Sequence, residues 1–302
     1  MPSLAARLVN LALPLTGIHR FFAQADRLPG RIAALRRKPS PRPKARWQRD
    51  FTIVEDTMRG YPVVTITPRQ PGAADAPHLL YLHGGAYVMD IAAIHWDAVL
   101  RLCAMLGASA TVPVYPLAPE HQAPEVLGAM QRLYCELAQR HGAARLTVMG
   151  DSAGGGMTLA LAQMVRAEGG ALPARLVLWS PLLDAGAGDP LQRDVEPHDR
   201  MLAIAGLRAT SRMYAGDLPL DDPRVSPLFG PLDGLPPMAV FAGTHDILIA
   251  DARRIRAKLE ALGVAHQYHE YPGMFHVWML LPLPEGRRAL EQTAAFITGG
   301  RT

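Results

Sequence analysis

From Phe51 onward the chain alternates short apolar runs with stretches of helical periodicity, and no other feature restricts its fold so strongly. Strands joined through helices must run parallel, with the helices packed over the sheet, so repeated alternation predicts an α/β fold covered on both faces. Residues 51–55, 61–67, 78–82, 109–114, 146–149, 176–180, 238–242 and 267–271 read as eight strands. Helices are predicted at 93–106, 124–140, 154–168, 249–262 and 284–298, the fourth stopped by Gly263. No helical stretch separates the first two strands, which are therefore expected to pair antiparallel at one edge. Residues 184–234 break the pattern with Asp, Pro and Gly around a helical patch near 201–215. That segment is too long for a connection and is expected to be an insertion over the sheet.

With 302 residues, 49% of them hydrophobic, the chain fills a sizeable core without staples, which excludes disorder as its main state. Cys103 and Cys135 are too few and too scattered for a disulfide framework or a zinc site. They are expected to be reduced core residues, in keeping with a cytoplasmic protein. The net charge of +4 is uneven: ten basic and two acidic side chains between Arg20 and Asp50 make that segment +8 and leave the rest near −4. Pro39, Pro41 and Pro43 make its second half an extended connector, expected to be solvated. It lacks interleaved aromatics and any reader motif, so no nucleic-acid partner is expected. Residues 4–15 are apolar but have only Arg7 for a charged region and no small-residue cleavage site behind, which favours an amphipathic helix lying on the protein over a targeting segment. No run is long enough for a membrane span.

The strongest local signal is Gly150-Asp151-Ser152-Ala153-Gly154, set between a predicted strand and a predicted helix. A plain glycine-rich turn would show the same letters, so the context carries the argument. A sharp strand-to-helix turn strains its central residue and needs small neighbours, and it projects the serine alone at the carboxyl edge of the sheet, where open α/β sheets bind ligands. Upstream, His83-Gly84-Gly85 follows the third strand. Consecutive glycines let backbone N–H groups face a developing oxyanion, and Gly84, Gly85 and Ala153 are expected to donate to it. His83 is expected to brace this loop by hydrogen bonding. A serine needs an imidazole to take its proton and a carboxylate to orient the imidazole, in the chain order serine, acid, histidine for this topology. Asp246 and His276 follow the last two strands and fit that order. Asp251 competes with Asp246 but falls inside the next helix, where it reads as a helix-start charge. His245 precedes the acid itself, and His266 and His269 lie on or beside a strand. No metal site, phosphate cradle or dinucleotide fingerprint is present in the sequence, and neither a metal nor a cofactor is expected.

These residues resemble the hormone-sensitive-lipase-like esterases, bacterial family IV of the α/β-hydrolase superfamily. The match comprises the serine turn, His-Gly-Gly at 83–85, Tyr115-Pro116-Leu117-Ala118-Pro119-Glu120-His121, Asp246-Ile247-Leu248 and the stretch from Tyr271 to Trp278, and it covers about residues 49–297. The resemblance implies a mostly parallel eight-stranded sheet, with Ser152, Asp246 and His276 as the triad and Gly84, Gly85 and Ala153 as the oxyanion donors. It also implies a helical cap made from the N-terminal segment and the insertion, giving a cap segment with basic linker over 1–48 and a catalytic domain over 49–302. The activity implied is that of a serine carboxylesterase acting on small-molecule esters of short to medium acyl chains. A homodimer is compatible with it. Amide or aryl formamide hydrolysis by the same triad is the nearer alternative; a non-catalytic ligand receptor is the more distant one, since such receptors tend to lose the histidine that stands here at 276. Two positions depart from the family pattern. Ala86 replaces a usual third glycine and is expected to narrow the alcohol side of the cleft, and Pro116 replaces a usual arginine.

Overall fold

A computed structural model describes residues 1–70, 72–73 and 75–299. Three short helices come first, α1 (Leu4–Ala12), α2 (Ile18–Ala23) and α3 (Leu28–Leu35), followed by β1 (Phe51–Asp56), β2 (Val63–Pro68) and β3 (His78–Leu82). Alternation then begins with α4 (Ala93–Leu106), β4 (Ser109–Pro113), α5 (Ala123–His141), β5 (Leu146–Asp151), α6 (Ala153–Ala167) and β6 (Arg175–Trp179). The insertion holds α7 (Pro190–Val195) and α8 (Ile204–Ala215), and the chain closes with β7 (Met238–His245), α9 (Ile249–Leu262), β8 (His266–Phe275) and α10 (Pro284–Thr298). The eight strands form one sheet in the order β1-β2-β4-β3-β5-β6-β7-β8. Among the described residues only the β1–β2 and β2–β4 pairings are antiparallel. This is the α/β architecture, covered on both faces, that the alternation predicts, and the mostly parallel eight-stranded sheet that the resemblance to α/β hydrolases implies.

The sheet has a core on each face because its central strands are apolar throughout. Leu80 and Leu82, Val148, Leu176 and Leu178, and Val240 enter one cluster. Their neighbours Leu79 and Tyr81, Met149, Val177 and Trp179, and Phe241 enter the other. The period-two alternation of a strand thus sends adjacent apolar residues to opposite layers.

Element ends moved where a local rule or a tertiary contact intervened. The first helix stops at Ala12 and Pro14 turns the chain into a 3₁₀ segment, Leu13–Thr16. β2 starts at Val63 because Pro62 has no N–H for the ladder. β7 and β8 run further than their apolar cores, and beyond an irregularity between Gly243 and His245 they pair once more at His245 and Phe275. That last pairing brings the two following residues, Asp246 and His276, alongside each other.

The basic connector is extended and largely exposed, as expected, but it is also tied to the body. Lys44 and Arg46 both reach the buried carboxylate of Asp97 on α4, Trp47 Nε1 donates to the same group at 2.9 Å, and Trp96 Nε1 donates to Pro41 O at 2.8 Å. A buried carboxylate needs paired cations, and here the strap supplies them. Cys103 is buried as expected, but Cys135 is exposed, because it falls on the outer side of α5. Among the described residues no helix is long and apolar enough to cross a membrane. Residues 300–302, the last of the expected catalytic domain, lie outside the described residues.

Candidate active site

Ser152 sits between β5 and α6 with φ 53° and ψ −121°, a left-handed conformation that L side chains avoid. Surrounding hydrogen bonds hold it there: Ser152 N–H donates to Trp179 O at 2.8 Å, and Ser152 O accepts from Leu182 N–H at 3.0 Å. The small flanking residues are a steric requirement. A Cβ on Gly154 would stand 1.9 Å from Leu82 O, and one on Gly150 would stand 2.4 Å from Gly154 O.

His276 and Asp246 are both buried, and His276 Nδ1 lies 2.8 Å from Asp246 Oδ2. Burial pulls the His276 pKa down, but the charge and hydrogen bond of Asp246, helped by Asp199 and Asp151, outweigh it and leave the imidazole raised above its ordinary 6.5. Ser152 and His276 line one apolar cavity of about 200 Å³, together with Gly84, Gly85 and Ala86 of the glycine loop, Ile18 and Phe22 of α2, and Met201 and Leu202 of the insertion. The larger grooves on the surface, about 570 to 730 Å³, contain neither Ser152 nor His276. Among the described residues the Ser152 hydroxyl has no hydrogen-bond partner.

The glycine loop departs from expectation at one atom. Gly84 N–H donates to Asp151 Oδ1 at 2.9 Å, so it is spent inside the protein and cannot be the oxyanion donor expected of it. Gly85 and Ala86 have no backbone N–H partner among the described residues. The free donors of this loop are therefore displaced one residue along, to Gly85 and Ala86, beside Ala153 N–H at the start of α6. Ala86 takes φ 52°, where a glycine would be at ease. His83 braces the loop: its buried ring stacks on Tyr115 at 4.2 Å, its Nδ1 lies 2.7 Å from Gly84 O, and burial depresses its pKa to about 3.

Three buried carboxylates around the site carry roles that the sequence reading did not assign. Asp151 accepts from Tyr81 OH as well as Gly84 N–H, and its other oxygen lies 3.4 Å from His95 Nε2. Asp199, in the insertion, accepts from Met201 and Leu202 N–H at 2.8 Å and from Ile247 N–H at 3.0 Å. It thereby joins the cavity wall to the residue after Asp246, and burial together with the Asp246 charge pushes its pKa up to about 7. Asp251 does lie in the first turn of α9, but its side chain points inward and accepts from Leu183 and Asp184 N–H at 2.8 and 2.9 Å, so its work is to anchor the insertion. His245 stacks near His198 outside the cavity, and His266 and His269 lie on β8.

The sequence profile of the family described as alpha/beta hydrolase fold matches residues 79–280. An esterase of Acinetobacter venetianus is 34% identical over 230 residues, covering 74% of this chain and 76% of that protein. A triacylglycerol lipase of Mycobacterium tuberculosis is 33% identical over 231 residues; the match covers 76% of this chain but 48% of the lipase, so this chain corresponds to about half of that relative's length. Among solved structures, the HSL-homolog EstE7 from a metagenome library superposes with a TM-score of 0.82 at 25% identity, covering 98% of both chains.

Proposed function

The chain belongs to the hormone-sensitive-lipase-like family of α/β hydrolases, and on that premise we propose that it is a serine carboxylic ester hydrolase working through an acyl-enzyme. Ser152 attacks the ester carbonyl while His276 takes its proton and passes it to the departing alcohol; Asp246 orients the imidazole and stabilises its charged form. Water then attacks the acyl-enzyme by the same route and releases the acid. The N–H groups of Gly85, Ala86 and Ala153 receive the developing oxyanion. One observation carries this reading. A serine on a strained left-handed turn and a histidine held 2.8 Å from a buried carboxylate share one cavity.

Residues 1–48 and the insertion at 184–234 act as the cap over the catalytic body, a reading supported by the contributions of Ile18, Phe22, Met201 and Leu202 to the cavity. At about 200 Å³ the cavity is smaller than the roughly 300–1,000 Å³ of sites for drug-sized ligands, which supports small-molecule esters of short to medium acyl chains. Two free thiols support residence in the reducing cytoplasm. A panel of nitrophenyl esters from acetate to palmitate, run on the wild type and on Ser152→Ala, tests both parts. The wild type should prefer the shorter chains, and Ser152→Ala should fold and lose about 10⁴-fold or more in kcat. Retained turnover in that variant would overturn the assignment of the nucleophile; preference for palmitate would overturn the reading of the cap.

A further inference from the structure

The first helix is apolar on two sides, and only one of them is used. Ala6 is buried, and Val9 packs against the core beneath α1. The opposite side leaves Leu4 72%, Leu8 58%, Leu11 66% and, on the following 3₁₀ turn, Leu15 89% exposed. At 3.6 residues per turn Leu4, Leu8 and Leu11 fall within an arc of about 60°, so the leucines form a stripe rather than scattered exposures. The helix cannot roll to hide them. Ser3 caps it through Ala6 N–H, and the Ser3 hydroxyl donates to Glu285 Oε2 on α10 at 3.0 Å, which fixes the orientation of α1 on the body.

The charge beside the stripe identifies what it faces. Pro14, within the same 3₁₀ turn, opens a groove of about 730 Å³ lined by His19, Arg20, Arg193 and Arg200. Among the described residues none of these three guanidinium groups makes an ion pair. Glu196 and Asp199 line the same groove, but Asp199 is turned inward to Ile247 and Glu196, which accepts from Ile204 N–H at 2.7 Å, leaves the three arginines in excess. We propose that the exposed leucines of α1 and its 3₁₀ turn, with Arg20, Arg193 and Arg200, dock this protein onto an anionic lipid surface. Leucines entering the acyl boundary beside arginines at the level of anionic headgroups is the pattern of an interfacial helix. A second copy meeting this face about a two-fold axis would set unpaired arginines of one sign against their own kind.

The stripe leads to the site. Ile18, three residues beyond Leu15, lines the cavity that holds Ser152. Docking would put the mouth of that cavity at the lipid boundary, where amphiphilic esters concentrate; this last consequence rests on the hydrolase reading, whereas the docking itself does not.

Flotation of the full chain with vesicles of phosphatidylcholine alone, and of phosphatidylcholine mixed with phosphatidylglycerol, tests the proposal without turnover. The wild type should bind the mixed vesicles at least about tenfold more tightly, with an affinity that falls as salt rises. Leu8→Ser/Leu11→Ser/Leu15→Ser and Arg20→Gln/Arg193→Gln/Arg200→Gln should each lose tenfold or more, while hydrolysis of a water-soluble ester stays at the wild-type rate. If the leucine triple variant fails to fold, Leu15→Ser alone carries the same test with a smaller loss, since that side chain is the most exposed of the four. No preference for anionic vesicles, or binding indifferent to the leucine substitutions, overturns the proposal. So does a wild-type dimer that the leucine variant converts to a monomer without change in vesicle binding, which would make the stripe an interface between copies. A chain that binds vesicles but hydrolyses no ester would sink the reading of the active site and leave the docking intact.

Discussion

Replacing Asp151 by asparagine preserves its shape and removes what the site needs from it. Ala92 N–H donates to His95 Nδ1 at 2.8 Å, which puts the ring hydrogen of His95 on Nε2, facing Asp151 Oδ2 at 3.4 Å. The other oxygen meets Tyr81 OH and Gly84 N–H. The carboxylate therefore answers donors on both sides, whereas an amide has one oxygen and one NH₂, so one side of Asp151→Asn must set donor against donor. A hydrogen bond to a charged group is worth about 1.5–3 kcal/mol and an unmatched buried donor costs about 1–3 kcal/mol. Because parts of these overlap, the expected loss of stability is roughly 2–4 kcal/mol, a fall in Tm of about 3–6 °C for a chain of 302 residues. Freed from Asp151, Gly84 lets the Gly85 and Ala86 N–H groups drift, and removal of a whole oxyanion donor, about 10²–10³ in kcat, sets the ceiling. A loss of about 10–10² in kcat with KM nearly unchanged is expected on nitrophenyl butyrate. The acid limb of the pH profile should also move to lower pH, since the Asp151 charge helps raise His276. Wild-type kcat with an unmoved limb would refute the tether, and a loss confined to KM would show that the loop binds substrate without acting on the transition state.

The remaining predictions concern the base, the loop and the cap. In the wild type, kcat/KM should rise with pH as His276 loses its proton, with the midpoint above the ordinary 6.5 because Asp246 favours the charged ring; a pH–rate profile with its midpoint below that value would contradict the pairing. Ala86→Gly removes a methyl from the cavity and a left-handed strain at φ 52°, so it should broaden the alcohols accepted and raise stability by up to about 1 kcal/mol. Unchanged selectivity across linear and branched alcohol esters would sink that expectation. Gly206→Ala places a Cβ 2.3 Å from Phe22 O, where backbone must give way. It should lower Tm by several degrees and weaken turnover of small esters, because α2 and α8 would part above the cavity; a Tm equal to the wild type, read by calorimetry, would show that the two cap segments do not depend on each other.

The parts of this fold that could be read in the sequence are those governed by local periodicity. Adjacent apolar residues such as Leu79 and Leu80 enter opposite core layers, and a period of two announces this before any tertiary contact is known. Ser152, Asp246 and His276 were legible for a related reason: each follows a strand, and the carboxyl ends of parallel strands share one edge. What the period cannot carry is direction at single atoms. Two consecutive glycines tell that backbone approaches something at residues 84–85, but which N–H faces the cavity depends on Asp151, whose carboxylate arrives from another strand and captures the first of them. Cys135 shows the same limit in reverse, as an apolar-class residue whose helix turns it outward.

The buried roles of Asp151, Asp199 and Asp251 escaped the sequence reading for one physical reason. Loops at the edge of a parallel sheet carry function, yet their main-chain N–H groups lack the partners that helices and ladders provide, and buried donors must be satisfied. In this chain a buried carboxylate satisfies them in each case: Asp151 for Gly84, Asp199 for Leu202 and Ile247, Asp251 for Leu183 and Asp184. Each carboxylate stands far along the chain from at least one N–H it accepts, so no spacing rule connects the two. Each joins a segment of the site to a different part of the framework, the glycine loop to the serine turn, the insertion to the loop of Asp246, and the exit of β6 to α9. A lone aspartate in a polar stretch therefore reads as surface until the donors it serves are known, and three such residues tie the loops around Ser152, Asp246 and His276 to the framework.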